Sequence, residues 1–196
     1  MSELSVRGTV EVRVPATSAN LGPGFDTLGL ALSVYDELTV TARAEPGLEI
    51  IVEGEGAADV PVDASHLVVS SMAHAFDALG VQMPGLRLVA KNTIPHGRGL
   101  GSSGAAVASA LRAVQGLLEG QREITDAELL RLATEIEGHP DNVAPALFGG
   151  LTIAWTTPEG PQYKKLLVNR GVAPLVFVPG FTLSTKVARA RQRAHA

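Results

Sequence analysis

Residues 95–106 read Pro-His-Gly-Arg-Gly-Leu-Gly-Ser-Ser-Gly-Ala-Ala, a glycine-rich turn that runs directly into an alanine-rich segment. Apolar side chains then recur at helical spacing, which predicts a helix over residues 102–118. Glycines let the backbone approach a ligand closely, and the N–H groups and dipole at a helix start favour an anion. The stretch therefore predicts a phosphate-binding loop. The alternative is a glycine-rich surface turn that simply precedes a helix.

Two serines in this stretch add hydroxyl groups. Ser102 and Ser103 can bind phosphate oxygens or Mg²⁺, the usual counterion of a triphosphate. A Walker A loop does not fit, because Gly101 is followed by Ser102 rather than by Lys. Gly99, Gly101 and Gly104 match G-x-G-x-x-G, but polar residues separate them from the preceding strand and no acidic residue ends a following strand. A Rossmann-type dinucleotide site is therefore disfavoured.

The rest of the chain mixes strand and helix signals without regular alternation. Alternating or continuous apolar runs bounded by turn residues predict strands at residues 10–14, 38–43, 48–53, 86–90, 151–155 and 175–178. Helical spacing predicts helices at residues 66–79, 102–118, 125–136 and from 184 onward. We expect an α+β fold with an antiparallel sheet rather than a doubly wound parallel sheet.

Several local signals refine this interpretation. Pro15 is expected to end the first strand, and a polar loop is expected at residues 16–24. Thr125 and Glu128 form a potential capping box for the third helix. Gly138 is expected to end that helix, before a proline-rich turn.

The composition excludes several classes of protein. A chain of 196 residues with 45% hydrophobic and 18% charged residues is typical of a folded globular protein, and 4% aromatic residues predict an aliphatic core. The net charge of −4 argues against nucleic acid as a partner. The absence of cysteine excludes disulfides and thiol catalysis. No export signal or bilayer-length apolar stretch is visible, so we expect a cytoplasmic protein without a membrane partner.

Three segments together resemble the GHMP kinases. Residues 95–106 resemble the second motif of that superfamily, with Gly104 where Ala is usual. Residues 14–29, VPATSANLGPGFDTLG, and residues 137–146, EGHPDNVAPA, resemble the forms found in the homoserine kinases. The resemblance implies a GHMP kinase N-terminal domain of the ribosomal protein S5 domain 2-like type at residues 1–165. It also implies the start of an incomplete, ferredoxin-like α+β domain at residues 166–196. The tail at 188–196 does not resemble the continuation in that family, so truncation or a frameshift is expected.

The resemblance further implies transfer of the ATP γ-phosphate to the side-chain hydroxyl of L-homoserine, in threonine biosynthesis, with Mg²⁺. The implied residues fall into four groups. The substrate-binding group comprises Asn20, Asp26, His139 and Asp141. The catalytic group comprises Asn142, Thr185 and Arg189. The nucleotide-binding group comprises His66, Lys91, Pro95, Gly97, Arg98, Gly99, Leu100, Gly101, Ser102, Ser103 and Gly104. The implied Mg²⁺ ligands are Ser103 and Glu135, the latter preferred over Glu137.

Two of these positions depart from the family pattern. His66 stands where Asn is common, and Asn142 stands where several relatives use Asp as a general base. An amide cannot accept a proton in that role, so we expect catalysis chiefly by proximity and electrostatic stabilisation.

The residues taken alone leave alternatives open. Asn20 and Asp26 could be turn formers beside Gly and Pro, and His139 with Asp141 could belong to a polar turn. One His and one carboxylate are too few ligands for a zinc site. The chain could also be a GHMP kinase for another small alcohol, or a nucleotide-binding fragment without activity. The sequence does not determine the oligomeric state, and a homodimer is one expectation.

Overall fold

The computed structural model describes residue 6, residues 8–169 and residues 171–181. Its six strands are β1 Gly8–Leu21, β2 Gly24–Arg43, β3 Leu48–Gly54, β4 Gly85–Asn92, β5 Leu151–Thr157 and β6 Gly160–Leu166. Its four helices are α1 Leu67–Ala78, α2 Ser102–Leu117, α3 Asp126–Glu137 and α4 Pro140–Phe148. The predicted α+β class is confirmed.

One mixed sheet carries all six strands. Its order is β3-β4-β2-β5-β6. Strand β1 pairs with β2 along the edge of β2 that does not face β4. All pairs are antiparallel except β3 with β4, so the antiparallel prediction is wrong for that pair. The reason is that α1 separates β3 from β4 in the chain, and such a crossover connection lets the two strands run in the same direction.

The helices and the sheet enclose an aliphatic core. Val40, Leu86 and Leu88 on the strands are fully buried with Met72 and Leu111 on the helices. Phe76 is the aromatic side chain among the largest fully buried ones in the described part of the chain. This core fixes α2 against β1, α1, α3 and α4, so the start of α2 has a defined position.

The first hairpin is longer than the sequence predicts. Strand β1 continues past Pro15 to Leu21, so both the strand end at Pro15 and the loop at residues 16–24 are wrong. Pro15 is tolerated because β1 has β2 as its single strand partner, and an edge strand can include a residue without an N–H. The pairing shifts register between Pro15 and Thr17, and this bulge leaves Ala16 and Thr17 both buried.

The first three helices lie where the sequence predicts them. His66 caps α1, α2 begins at Ser102, and the capping box of Thr125 and Glu128 opens α3. Gly138 ends α3 in the left-handed conformation.

The second half of the chain differs from the prediction at three places. The expected proline-rich turn is helix α4, which takes Pro140 at its first turn and tolerates Pro145 inside. Strand β6 was not predicted, because its lysines and tyrosine do not form an apolar run. Residues 175–178 form no strand, and their side chains are exposed, led by Phe177 at 84%. The predicted helix from residue 184 lies outside the described residues.

Candidate active site

The glycine loop follows β4 and leads into helix α2, whose N-terminus has no side-chain cap among the described residues. Gly97, Gly99 and Gly101 adopt φ values of 66°, 76° and 67°, a left-handed conformation that favours glycine. Gly101 is the residue before α2, and no side chain in the described part of the chain caps that helix. Its first N–H groups are therefore available to an anion. Pro95 and Arg98 are half-buried in the loop, and Leu100 is buried.

The start of the loop is held by a carboxylate on β2 that sequence reasoning missed. Oδ1 of Asp36 accepts hydrogen bonds from the backbone N–H of Thr93, at 2.6 Å, and of Ile94, at 2.9 Å. Burial raises the pKa of Asp36 above its usual value, although these two hydrogen bonds act in the opposite direction. Asp36 lies within β2 but before the predicted strand at residues 38–43, and its position carries no sequence signal for this role.

Beside the loop lies a mostly apolar cavity of about 300 Å³. The loop and the first turn of α2 contribute His96, Ser102 and Ser103, and β2 contributes Asp36. This volume lies at the small end of ligand pockets, and apolar walls with a few polar groups are typical of them.

His66 lies in the wall of this cavity and is only 6% exposed. Its Nδ1 accepts a hydrogen bond of 3.2 Å from the N–H of Val68, so Nε2 carries the ring proton. Burial lowers the pKa of His66, because the charged ring would lose its hydration. The neutral ring is thus favoured at the cavity.

Lys91 is not brought to the same place. It lies on β4 between Ala90 and Asn92, which line the cavity, and successive strand residues face opposite sides of a sheet. It lines a separate depression that includes Glu11, Arg13 and Glu37.

Four of the predicted site residues come together at the tip of the first hairpin. Nδ2 of Asn20 donates to Oδ2 of Asp141 at 3.1 Å, and the backbone N–H of Asp26 donates to Oδ1 of Asn20 at 2.8 Å. Asp141 is fully buried, and its Oδ1 contacts Nδ1 of His139. Asn20 and Asp141 therefore belong to one polar cluster, although they are 121 positions apart in the chain.

The backbone at this tip is unusual. Asn20 and Asp26 have φ values of 60° and 55°, and they are the non-glycine residues with positive φ in the described part of the chain. Asn and Asp tolerate this conformation best among non-glycine residues, but it still stores strain. Two predicted substrate-binding residues are thus also the residues that adopt a left-handed backbone conformation at this tip.

Asn142 follows Asp141 at the start of α4. Its Oδ1 accepts a hydrogen bond of 2.9 Å from the hydroxyl of Thr17, which is fully buried. The backbone N–H of Thr17 donates to the carbonyl of Leu100 at 3.0 Å. Thr17 therefore joins β1, the glycine loop and α4, although sequence reasoning gave it no role. The signal available was its position inside the first family motif.

The two predicted metal ligands, Ser103 and Glu135, have different side-chain partners. The hydroxyl of Ser103 donates to Oε2 of Glu137 at 3.4 Å. Glu135 instead contacts Nε2 of His74 at 3.1 Å and the guanidinium of Arg131 at 2.6 Å. Ser103 thus lies beside Glu137, while Glu135 lies in a separate group of ion pairs, and the choice between the two glutamates as metal ligand stays a prediction. Thr185 and Arg189 lie outside the described residues.

The comparisons with known proteins agree with this geometry. Residues 66–150 match the family described as "GHMP kinases N terminal domain". Residues 66–150 therefore correspond to a GHMP kinase N-terminal domain. The glycine loop, α1 to α4 and the polar residues of α4 all lie within the matched part of this domain.

Beyond the domain match, the similarity extends over almost the whole chain. A homoserine kinase from Clavibacter michiganensis subsp. michiganensis is 65% identical over 191 residues, which cover 97% of this chain and 60% of the relative. One from Leifsonia xyli subsp. xyli is 62% identical over 186 residues, covering 95% of this chain and 58% of the relative. The chain thus spans about 60% of the length of these curated relatives.

A solved structure shares the fold. The crystal structure of homoserine kinase from Cytophaga hutchinsonii superimposes with a TM-score of 0.75 at 29% identity, covering 97% of this chain and 62% of that chain. The GHMP kinase fold of this domain is therefore established. Among the described residues no helix has both the length and the apolar character needed to cross a membrane.

Proposed function

We propose that this protein phosphorylates the side-chain hydroxyl of L-homoserine with ATP, giving O-phospho-L-homoserine and ADP, as a step of threonine biosynthesis. The observation that carries the proposal is the 65% identity to a homoserine kinase over 97% of the chain. The open N-terminus of α2 beside an apolar cavity supports it, because a nucleotide needs an anion site next to a pocket for its base.

In this proposal the nucleotide base enters the cavity lined by His66, and the phosphates lie on the glycine loop. The N–H groups of Ser102, Ser103 and Gly104 then bind phosphate oxygens, as do the serine hydroxyls. Pro95, Gly97, Arg98, Gly99, Leu100 and Gly101 shape this loop. Lys91 takes no part in it, since the structure gives it a different face of the sheet.

The amino-acid substrate is proposed to bind at the polar cluster of Asn20, Asp26, His139 and Asp141. The carboxylates suit the ammonium group of homoserine, and the amide and imidazole suit its other polar groups. Arg189 is proposed to bind the substrate carboxylate, because its planar guanidinium can do so with two parallel hydrogen bonds. Thr185 is proposed to take part in catalysis together with Arg189.

The reaction itself needs little covalent chemistry from the protein. The homoserine oxygen forms a bond to the γ-phosphorus, the bond from that phosphorus to the β–γ bridging oxygen breaks, and the hydroxyl proton leaves to a phosphate oxygen or to water. Asn142 cannot accept this proton, so the residues act by holding the reactants in line and by donating hydrogen bonds to the phosphoryl oxygens.

Mg²⁺ would neutralise part of the phosphate charge when bound. Ser103 and Glu137 fit such an ion, because Mg²⁺ prefers oxygen ligands and is usually held by one or two protein groups together with substrate phosphates. No group of three or more His, Cys, Asp or Glu side chains suited to a metal occurs in the described part of the chain. We therefore propose Ser103 and Glu137 as the ligands.

A coupled assay of ADP release tests this function. The purified chain is incubated with Mg²⁺, ATP and L-homoserine, with mevalonate and galactose as competing small alcohols and the Clavibacter homoserine kinase as positive control. ADP release that depends on L-homoserine is the expected result. Release with mevalonate or galactose instead would identify another GHMP substrate. Binding of ATP without any release would favour a nucleotide-binding role.

The same proposal includes a cytoplasmic location and a homodimer. Both follow from a role in amino-acid biosynthesis rather than from the fold. Fractionation of the producing cells tests the first, and light scattering of the purified protein at several concentrations tests the second.

A further inference from the structure

Thr17 occupies the junction between the glycine loop and α4. Its backbone N–H donates to the carbonyl oxygen of Leu100, and its hydroxyl donates to Oδ1 of Asn142 at 2.9 Å. Thr17 and Asn142 are 125 positions apart in the sequence. The side chain is fully buried and therefore has no water to replace this partner.

This hydrogen bond selects one orientation of the Asn142 amide. An amide can exchange its oxygen and its NH₂ group by a flip of 180°, and the hydrogen-bond partners decide which form is present. In the flipped form Nδ2 would donate to Thr17, and the threonine hydroxyl would need a new acceptor. No other described atom accepts from that hydroxyl, so the flip would leave a buried donor unpaired.

Two glycines bring this amide against the first turn of α2. A Cβ atom at Gly101 would lie 2.0 Å from Oγ1 of Thr17 and 3.0 Å from Oδ1 of Asn142. A Cβ atom at Gly104 would lie 3.2 Å from Cβ of Asn142. The Asn142 side chain therefore lies beside the uncapped helix N-terminus where the phosphates are proposed to bind.

The remaining donor of the amide, Nδ2, has no assigned role in the described part of the fold. Nδ2 of Asn142 donates to no acceptor in the described part of the chain, and it is not sealed inside the core. A donor beside a helix N-terminus adds to an anion site, whereas a carbonyl oxygen there would repel phosphate oxygens.

We propose that Thr17 is a positioning residue that fixes Asn142 with its NH₂ group directed at the phosphoryl groups. The inference rests on the proposed function, because it assumes that the glycine loop binds the phosphates of a nucleotide. Without the Thr17 hydroxyl, the amide is free to flip and to present its oxygen to the phosphates.

Binding of two probes by calorimetry tests this role. Adenosine reports the cavity alone, and Mg²⁺ with AMP-PNP reports the cavity and the phosphate site together. The variant Thr17→Val keeps the shape and the backbone hydrogen bond but removes the hydroxyl. It should weaken AMP-PNP binding by about tenfold, the usual effect of losing one charge-assisted hydrogen bond, and leave adenosine binding unchanged.

Matched variants separate positioning from general structure. Thr17→Ser retains the hydroxyl and should bind AMP-PNP nearly as the parent does. Asn142→Ala should weaken AMP-PNP at least as much as Thr17→Val, and the double variant should be no weaker than Asn142→Ala. Equal weakening of both probes, equal loss in Thr17→Ser, or a fully additive double variant would overturn the inference.

A second measurement does not depend on variant folding. The side-chain amide of Asn142 in ¹⁵N-labelled parent protein should shift when AMP-PNP binds and remain unchanged with adenosine. An unchanged amide signal with AMP-PNP overturns the proposal. If the parent binds AMP-PNP more tightly than adenosine but phosphorylates no homoserine, the proposed reaction fails and the role of Thr17 stands. Equal affinity of the parent for adenosine and AMP-PNP would contradict both the proposed reaction and the proposed role of Thr17.

Discussion

The hydroxyl of Ser103 lies 3.4 Å from Oε2 of Glu137, so the first turn of α2 meets the last turn of α3 at one pair of side-chain oxygen atoms. The neighbouring carboxylate, Glu135, is directed at His74 and Arg131 instead. Chain position alone does not distinguish these two glutamates, whereas their side-chain partners do.

Removal of the Glu137 carboxylate should impair Mg²⁺ use. Glu137→Gln is expected to raise the Mg²⁺ concentration required for half-maximal ADP release by about 10–100-fold or more. Mutation of residues that only support a metal ligand already has effects of that size. Glu135→Gln is the matched control and should change it by less than about threefold, because that side chain forms exposed ion pairs of small value. A larger effect of Glu135→Gln than of Glu137→Gln would identify Glu135 as the metal ligand.

Gly101 should tolerate alanine much less well than Gly99. Both adopt positive φ, so alanine costs about 1–2 kcal/mol of backbone strain at either site. A Cβ atom at Gly99 meets nothing within 4 Å, whereas one at Gly101 meets Oγ1 of Thr17 at 2.0 Å. Gly101→Ala should therefore lose a further ~1–3 kcal/mol of unfolding free energy through overpacking, measured by urea denaturation. Equal losses in the two variants would contradict the contact.

Asp36 should act through its acceptor oxygen rather than its charge. Asp36→Asn keeps an oxygen for the N–H groups of Thr93 and Ile94. Asp36→Ala removes that acceptor from both, and the donor of buried Ile94 is then unpaired at about 1–3 kcal/mol, whereas exposed Thr93 can bind water. We expect Asp36→Asn to match the parent in AMP-PNP affinity and Asp36→Ala to weaken it by displacing the loop. A similar loss in both variants would show that the charge itself matters.

The raised pKa of Asp36 also predicts a pH dependence. The folded state favours the protonated carboxyl more than the unfolded state does, so this group lowers the free energy of unfolding as pH rises from 3.8 through the raised pKa. Asp36→Asn should remove that decrease. Urea denaturation of both proteins across this range measures it, and parallel pH profiles would contradict the burial of the charge.

His66 should produce the opposite trend near neutrality. Its pKa is lowered from 6.5 by burial, so the unfolded state binds more protons and stability falls as pH decreases through 6.5. His66→Asn keeps a helix cap without a titrating ring and should flatten the melting temperature between pH 7.5 and about 5.5. His66→Ala also removes the cap and should cost about 0.5–2 kcal/mol at pH 7.5. A pH profile unchanged in His66→Asn would refute the assignment.

Ser71 offers a stabilising substitution. It is 1% exposed, and its hydroxyl has no hydrogen-bond partner within the described part of the chain. Ser71→Ala removes an unpaired buried polar group and should raise the free energy of unfolding by about 0.5–2 kcal/mol. Ser109→Ala is the matched control in α2, because its hydroxyl donates to the carbonyl of Ala105 at 2.7 Å. That variant should show no gain, and an equal gain in both would point to helix propensity alone.

Local signals in the sequence were sufficient where the interacting groups are close in the chain. The capping box of Thr125 and Glu128 and the glycine at residue 138 form within one or two helical turns, so their pattern predicts their structure. The glycine loop before α2 is equally local, and the helix start that follows it agrees with the predicted one. The family motifs extended this prediction to a substrate, which spacing could not supply.

Elements that depend on distant partners were predicted poorly. Pro15 stays inside β1 because that strand lies at a sheet edge, and α4 accepts Pro145 where Gly29 of β2 packs against it. Strand β6 forms because it pairs with β5 and its Tyr163 stacks on Phe148, with ring centroids 4.0 Å apart. Composition within these segments does not reveal such partners.

The sequence by itself determined the glycine-rich loop at residues 95–106 and the helix after it, from which it predicted phosphate binding and, by resemblance, a GHMP kinase domain. Only the tertiary structure decided which side chains surround it. Asp36 reaches the loop across 58 positions, Asn142 reaches Thr17 across 125, and Glu137 rather than Glu135 meets Ser103. The physical reason is that hydrogen bonds depend on distance in space, and the packing of β1, α2, α3 and α4 sets those distances.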